Sequence, residues 1–351
     1  MKIALCTTTI HVPHALKLMR KCSGEVRFFV AFDKKTPSEI YAIADGDTKM
    51  LPEAIQSDWK CSEALGWNTI ARRNIAFLEA LKWGADVIYS WDNDNLNVDT
   101  QHFENIGSRF EYRRGELNSA GTWMYAGGEP KLFNGIKISG PNGWFDPGSL
   151  LIPQTRHRGI PWSHRNVNHA GPVTDVKIGV VAGLVIGDPD IDAVTRMEHR
   201  PDIGGVHLLG QTGIVVDPHT WTVFNSQNTA VIRELIPAWF MMSGVGRHDD
   251  IYASLIVQRV ARERNLHVHF GPPFTYQQRN EHNLITDLRR EIDGMENVAV
   301  LAELLDHIPL PGKSVIEDTR TIYSTLEHCD WLPDEAIYAA HKWLDDCESV
   351  L

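Results

Sequence analysis

The chain has 351 residues, of which 43% are hydrophobic and 23% are charged, proportions that are typical of globular proteins. Its formal net charge of −11 leaves no broad cationic surface for binding nucleic acid phosphates without sequence preference. The five cysteines lack the spacing of a zinc site or a redox dithiol, and no stretch approaches the ~18 apolar residues of a membrane span. We therefore expect a cytoplasmic α/β protein that does not associate with a membrane.

The N-terminal segment predicts a β-α-β unit. Residues 3–6 and 26–32 are compact apolar runs typical of buried strands, and residues 13–19 between them favour a helix. The strands of such a unit are parallel, and ligands bind beyond the carboxyl ends of parallel strands. Asp33 precedes two lysines and is equally typical of an ordinary turn. The residues at the two strand ends are Thr7, Thr8 and Asp33.

Two aspartates come directly after the next predicted strand. Residues 68–83 predict a helix, residues 87–89 predict a strand, and Asp92 and Asp94 follow with one asparagine between them. Alternate carboxylates at a strand end can face the same small volume, and their hard oxygen atoms suit Mg²⁺ or Mn²⁺. The same triplet also occurs in solvated turns, so its spacing alone leaves both interpretations open.

The predicted helix before this strand opens with two arginines and an asparagine, Arg72, Arg73 and Asn74. Backbone N–H groups and arginines at a helix N-terminus make a good site for an anion such as a phosphate. A solvent-facing first turn is the alternative interpretation. We predict that these three residues bind an anionic ligand.

Further elements are predicted from periodicity along the rest of the chain. Residues 121–148 are rich in glycine and aromatics and predict a loop that covers a site. Residues 176–186 form an apolar run, and residues 267–270 predict a strand. Helices are predicted at residues 191–197, 230–242 and 250–264, and from about residue 284 to the end.

Polar residues near these elements are candidates for binding a substrate. Asp249 and Asp250 precede a predicted helix, where one fits an N-cap and the other suits an acceptor hydroxyl or general base. Asp190 and Asp192 form either a second acidic wall or a turn and a helix cap. The amides of Asn225, Gln227 and Asn228 suit sugar hydroxyls, although such residues also cap turns.

Several blocks resemble a known superfamily. The stretch ARRNIAFLEALKWGADVIYSWDNDN at residues 71–95 resembles the acidic-triplet region of GT-A type glycosyltransferases. It is most similar to STELLO proteins and to the reversibly glycosylated polypeptides, which include UDP-arabinopyranose mutases. Further blocks agree in order over about residues 68–288. They are RGIP from residue 158, GLVIGDPDIDAVTR from residue 183, TVFNSQNTAVIRELIPAWF from residue 222 and GRHDDIYASL from residue 246.

This resemblance implies a GT-A fold, which is Rossmann-like with a mixed, mainly parallel sheet between helices. We assign residues 1–295 to that catalytic domain and residues 296–351 to a helical C-terminal extension. The implied ligands are a nucleotide-diphospho-sugar, with UDP favoured, and Mn²⁺ or Mg²⁺. Thr7, Thr8 and Asp33 are then expected to contact the base, and Asp190 or Asp192 to face the sugar.

The family's functional residues are carried over position by position. Asp92 and Asp94 match the metal-binding triplet, and Arg158 matches the arginine that carries the sugar in the mutases. Asp249 and Asp250 match the late acidic pair. Where relatives place a histidine after the last strand, this chain has glutamine at position 277. His269, His282 or water is expected to take its place as a metal ligand.

Three functions are weighed against these residues. Sugar transfer to an acceptor is favoured, because the asparagine within the triplet and Gln277 depart from the mutase pattern. A mutase that changes the ring size of the sugar is the alternative, and a non-catalytic sugar-binding protein is disfavoured by the intact acidic residues. The acceptor and the oligomeric state are not specified by the sequence, and nothing in it supports a nucleic acid base as acceptor.

Overall fold

The computed structural model describes residues 2–12, 26–43, 46–97, 125–126, 129–130, 132–140, 143–164, 169–279 and 282–351. The predicted helix at residues 13–19 lies outside them, as do residues 121–124, 127–128, 131 and 141–142 of the predicted loop at residues 121–148. The loop prediction is wrong over Leu132–Ser139, which form a strand because they pair with residues 169–177.

A mixed ten-stranded sheet with helices packed against it forms the centre of the molecule, in the order β3-β2-β1-β4-β13-β10-β8-β12-β14-β5. Two pairs of very short strands, β9 with β11 and β6 with β7, lie outside it. The strands are β1 Ile3–Thr9, β2 Val26–Phe32, β3 Thr48–Leu51, β4 Val87–Trp91, β5 Asn95–Asn97, β6 Tyr125–Ala126, β7 Glu129–Pro130, β8 Leu132–Ser139, β9 Leu151–Ile152, β10 His169–Gly187, β11 Gly205–Val206, β12 Ile214–Val216, β13 Asn228–Ile232 and β14 Leu266–Gln277.

The α/β class is confirmed, but the expectation of a mainly parallel sheet is wrong. Strands β1 to β4 pair in parallel, and for β1 and β2 this confirms the parallel pair that the β-α-β order predicts. Beyond β4 most pairs are antiparallel, so that over the whole sheet antiparallel pairs are as common as parallel ones. The long strand β10 contributes two of the antiparallel pairs, with β8 along its first half and with β13 along its second, where it also runs parallel to β14.

Helices cover the sheet, and several begin where the sequence predicts. The helix before β4 is a 3₁₀ turn, Ile70–Arg72, that continues as α2 and ends at Gly84, whose φ of 84° suits glycine. The helices are α1 Glu53–Gln56, α2 Arg73–Trp83, α3 Ala193–Glu198, α4 Leu208–Thr212, α5 Asp249–Arg262, α6 Leu284–His307, α7 Val315–Leu326 and α8 Asp334–Glu348. The predicted domain boundary at residues 295 and 296 falls inside α6.

The predicted helix at residues 230–242 is wrong. Its first residues belong to β13, all five of whose residues are buried between β4 and β10. A 3₁₀ helix, Arg233–Ala238, follows and contains Pro237. An apolar run of this length fits a buried strand and a buried helix equally by pattern, and here pairing on both sides decides for the strand.

The antiparallel pairing of β13 with β4 positions the candidate site. The carboxyl end of β4 lies beside the start of β13, and the Asp92 amide donates to the Gln227 carbonyl at 3.2 Å. The carboxyl ends of β1 and β14 reach the same region through contacts described below. None of the described helices is long and apolar enough to cross a membrane.

Candidate functional site

The acidic pair after β4 is held in a partly buried position. One oxygen of Asp92, Oδ1, lies 2.6 Å from Arg73 Nη2, and Asp94 Oδ2 accepts a hydrogen bond from Gln277 Nε2 at 3.2 Å. Between them Asn93 donates to Thr9 Oγ1. Burial raises the pKa of Asp94, and the negative charge of Asp92 raises it further. The two carboxylates therefore lie close enough to repel each other.

A hard divalent cation fits this pair in its chemistry. Asp92 Oδ2 and Asp94 Oδ1 make no hydrogen bond within the described part of the chain, so each offers an oxygen atom. Mg²⁺ is commonly held by one or two carboxylates together with substrate phosphates. However, no three His, Cys, Asp or Glu side chains form a metal-binding group among the described residues.

His269 is not placed as the predicted third ligand. It is fully buried in the middle of β14, where it pairs with Val181 and Val215. Gln277, which contacts Asp94, is eight residues further along the strand, or roughly 25 Å in an extended chain. His282 contacts Asp287 instead, at 3.0 Å. The position next to Asp94 is thus occupied by an amide and not by an imidazole.

Arg73 connects Asp92 to the interior. Its side chain is 2% exposed, and Nη1 donates to Ser90 Oγ at 3.0 Å and to the Ser226 carbonyl at 2.9 Å. The first turn of α2 therefore directs this arginine under the carboxyl end of β4. Arg73, predicted to bind an anionic ligand, thus binds a carboxylate of the protein itself.

Arg158 lies at the centre of a second buried ion-pair group. Its Nε donates to Asp190 Oδ2 at 2.9 Å, and its Nη2 contacts Asp190 Oδ2 and, at 3.1 Å, Asp250 Oδ1. Burial opposes the charge on this guanidinium, but the two carboxylates outweigh it and raise its pKa above the usual range. Arg158 is therefore a permanently charged group whose Nη1 alone has no hydrogen-bond partner among the described residues.

Ser226 joins the two groups into one network. Asp250 Oδ2 accepts hydrogen bonds from the Ser226 amide at 2.9 Å and from its hydroxyl at 3.1 Å, and Arg73 donates to the same hydroxyl at 2.9 Å. A continuous chain of contacts thus runs from Asp92 through Arg73, Ser226 and Asp250 to Arg158. These residues come from separate parts of the chain. Arg73 begins α2, Asp92 directly follows β4, Ser226 precedes β13, Asp250 lies in the first turn of α5 and Arg158 lies in the segment before β10.

Asp249 adjoins this network as the neighbour of Asp250. It opens α5, accepts from the Asp250 amide at 3.0 Å and keeps part of its surface exposed. Burial, followed by the charge of Asp250, raises the pKa of Asp249 to about 7. The charges of Arg158 and Arg73 act in the opposite direction and lower this pKa. Such a carboxyl group can accept a proton at neutral pH.

Asp190 is surrounded by arginines. Besides Arg158, Arg279 Nη2 and Arg247 Nη2 lie 3.4 and 3.5 Å from Asp190 Oδ1, and the pKa of Asp190 is lowered despite burial. Asp192 differs, because its two oxygens cap α3 through the amide and hydroxyl of Thr195. Of the two predicted sugar-facing acids, only Asp190 belongs to the network.

The predicted amides divide between the site and the sheet. Asn225 Nδ2 lies 3.5 Å from Asp190 Oδ2, at the limit of a hydrogen bond, and its Oδ1 accepts from the Gln227 amide. With Asp190 and Gln227 it lines a cavity of about 30 Å³, which has room for about two waters. Asn228 instead accepts from the Tyr89 hydroxyl inside the sheet at 2.6 Å.

Two residues that were predicted to bind an anion make their contacts inside the protein instead. Arg72 is fully buried, donates to Gln56 and Ser62, and stacks on Trp67 at 3.9 Å from the ring centroid. Asn74 exchanges two hydrogen bonds with the backbone of Met241. The 3₁₀ turn directs Arg72 away from Arg73, so only one of the two arginines reaches the acidic pair.

The predicted base-contact residues are engaged locally at the carboxyl ends of β1 and β2. Asp33 accepts from the amides of Asn68 and Thr69 at 2.7 and 3.2 Å, which ties β2 to the segment before α2. Thr8 donates to the Ala31 carbonyl at 3.0 Å, and Thr7 is buried. Through Asn93, this strand edge is in contact with the acidic pair.

Some residues of the site were missed by sequence analysis. Ser226, Arg247 and Arg279 carry contacts of the network, yet each is a common residue type with no motif of its own. A signal did exist for two of them, because Arg247 precedes the late acidic pair by two positions and Arg279 follows Gln277 by two.

Comparisons with family models and with curated proteins identify no relative of this chain.

Proposed function

We propose that this chain is a metal-dependent glycosyltransferase of the GT-A type that uses a nucleotide-diphospho-sugar, with a UDP-sugar favoured. The observation that carries the proposal is the continuous network from Asp92 to Arg158. It joins an acidic pair at a strand end to a buried arginine, and it adjoins Asp249, whose pKa burial raises to about 7. Such an arrangement would bind the anionic group of a donor next to the hydroxyl group of an acceptor.

Asp92 and Asp94 are the residues that would hold Mn²⁺ or Mg²⁺ beside the donor. Such a cation supplies positive charge that stabilises a departing diphosphate. Arg73 fixes one oxygen of Asp92 and leaves Oδ2 available, while Gln277 does the same for Asp94 through its Oδ2. The protein thus orients one oxygen of each carboxylate in advance.

Asp249 is the residue proposed to act on the acceptor. With a pKa of about 7 it is ionised in a large fraction of molecules at neutral pH, and its carboxylate would take the proton of the attacking hydroxyl. Arg158 and Arg73 stabilise the negative charge that Asp249 carries before the transfer. Asp250 is unsuited to this role because Ser226 and Arg158 occupy its oxygens.

The donor is tested by thermal unfolding with UDP-, GDP- and dTDP-sugars, each with and without Mn²⁺. We expect a Mn²⁺-dependent rise in melting temperature with one nucleotide class, and its loss in the Asp92→Ala/Asp94→Ala variant. The matched control is Asp58→Ala/Asp202→Ala, which removes two exposed carboxylates elsewhere. An unchanged rise in the first variant would contradict the proposal.

A mutase is the alternative, and one observation bears on it. In a mutase Arg158 would carry the sugar, but two of its three nitrogens are held by carboxylates that also keep it protonated. Only Nη1 is without a partner in the described residues. A mutase would interconvert pyranose and furanose forms of the nucleotide-sugar without an acceptor, whereas a transferase releases the nucleoside diphosphate. Chromatography of the products after incubation separates the two.

A further inference from the structure

One arginine of the site is buried without strong partners. Arg279 follows β14, and its side chain is 8% exposed. Its Nη2 lies 3.3 Å from the Pro189 carbonyl and 3.4 Å from Asp190 Oδ1, while Nε is 3.7 Å from Asp188 Oδ1. The last distance is too long for a hydrogen bond, and Nε has no hydrogen-bond partner within the described residues. The cost of burying this guanidinium is therefore poorly compensated.

A neighbouring arginine already holds the same loop. Arg196 contacts Asp188 Oδ1 closely and donates to the Pro189 carbonyl at 2.6 Å. These are two of the three groups that Arg279 approaches, and Arg196 makes the shorter contacts to both. Anchoring of the loop therefore does not explain why Arg279 is buried there.

The position of Arg279 suggests another role. Gln277, two residues before it, donates to Asp94, and Arg279 itself approaches Asp190. Its positive charge acts on Asp94 and opposes the rise of that carboxyl's pKa. Arg279 thus lies between the acidic pair and the Arg158 network, where the anionic part of a donor bridging them would be.

We propose that Arg279 binds the diphosphate of the donor directly, with a contribution that does not require the cation. This inference rests on the proposed function, because it takes the ligand to be a nucleotide-diphospho-sugar. A diphosphate oxygen would supply Nε with the missing partner and would replace long contacts by short, charge-assisted ones. An arginine suits this role better than a lysine because its planar fork matches phosphate oxygens.

The test measures binding of UDP and of inorganic pyrophosphate by titration calorimetry, in EDTA and in Mn²⁺. Wild-type protein is expected to bind in both buffers, and more tightly in Mn²⁺. Arg279→Gln should weaken binding by about tenfold to a hundredfold in both buffers, since it removes one charge-assisted contact. The affinity of Arg279→Lys should fall between those of wild type and Arg279→Gln. This variant serves as the readout should the glutamine variant fail to fold.

Arg196→Gln is the matched control, because it removes the other arginine that contacts Asp188 and the Pro189 carbonyl. If it weakens binding as much as Arg279→Gln, then Arg279 only holds the loop and the inference is wrong. The inference also fails if Arg279→Gln binds like wild type, or if wild type binds neither probe. An affinity that Mn²⁺ leaves unchanged would instead contradict the metal-dependent function, and the comparison of Arg279 with Arg196 would still stand.

Discussion

Asp249 illustrates how a single residue can link stability to pH. Its pKa is about 7 in the folded chain, against 3.8 for an unperturbed aspartate, so the folded chain holds its proton more tightly than the unfolded chain does. Between about pH 4 and pH 7 the unfolded chain therefore binds fewer protons, and the free energy of unfolding falls as the pH rises. Above pH 7 this penalty is complete.

Replacing this carboxyl by an amide removes the penalty. We expect Asp249→Asn to be more stable than wild type by about 1–2 kcal/mol at pH 8, which is less than the full shift implies because the group is partly exposed. At pH 5 the gain should be smaller. Urea unfolding at the two pH values measures this, and an equal gain at both would contradict the raised pKa.

Substitution of Arg158 should lower the stability of the chain, since this arginine neutralises two buried carboxylates. Arg158→Met leaves Asp190 and Asp250 without their closest cation, and breaking a buried pair in this way costs about 3–5 kcal/mol of stability. Arg158→Met/Asp190→Asn should recover part of that loss. Urea unfolding of both variants is compared with Arg200→Met, an exposed arginine that should change stability little. A loss no larger than that of the control would refute the network.

At the scale of elements, α5 and α6 meet through a glycine. Gly294 lies inside α6, and a Cβ built on it would stand 2.0 Å from Nδ1 of His248, the residue before Asp249. The His248 ring is fully buried, and burial lowers its pKa to about 3, so it packs as a neutral group. This contact determines how closely α6 approaches the first turn of α5.

Gly294→Ala should therefore behave unlike most glycine replacements in helices. Alanine usually stabilises a helix interior by ~1 kcal/mol, but here the clash should lower stability by about 1–3 kcal/mol. His248→Ala/Gly294→Ala should be more stable than Gly294→Ala, because the space is vacated. A double-mutant cycle from urea unfolding gives the coupling. If the cycle shows the two changes to be additive, the contact is not what requires the glycine.

Sequence periodicity predicted the elements whose pattern and context agree. The helix α5 was located to within two residues, and the strand before Asp92 was correctly placed, because each has an apolar pattern with flanking polar signals. The helix predicted at residues 230–242 failed, since only pairing with β4 and β10 distinguishes β13 from a helical run. Long-range pairing of this kind leaves no trace in local periodicity.

The candidate site was predictable only in part for a related reason. Asp92, Asp94, Arg158 and Asp250 are brought together in the expected region. The roles of adjacent residues could not be distinguished from the sequence, however. Arg72 and Arg73 are the same residue type, but the 3₁₀ turn directs Arg72 into the core. Which arginine meets the acidic pair depends on backbone geometry that residue types do not encode.

At the scale of the whole molecule, the last helices are part of the core. Phe240 packs against Tyr323 of α7 and Trp343 of α8, with ring centroids 6.2 and 5.8 Å apart. The carboxylate of Asp346 in α8 accepts from the amides of Lys60 and Cys61, nearly three hundred residues earlier in the chain. Both helices thus pack on the segment after the 3₁₀ helix Arg233–Ala238, and α8 also ties it to the turn that follows α1.

A chain that ends at residue 308 should consequently not fold on its own. Removing α7 and α8 exposes Phe240 and leaves the Pro237 carbonyl without its bond from the Trp343 indole, which is 2.9 Å long. In the full-length chain, Trp343→Ala alone should cost about 3–5 kcal/mol, the usual loss for a buried aromatic. Calorimetry and near-ultraviolet circular dichroism test both. A truncated chain that unfolds cooperatively within a few degrees of full length would show that these helices are a separable addition.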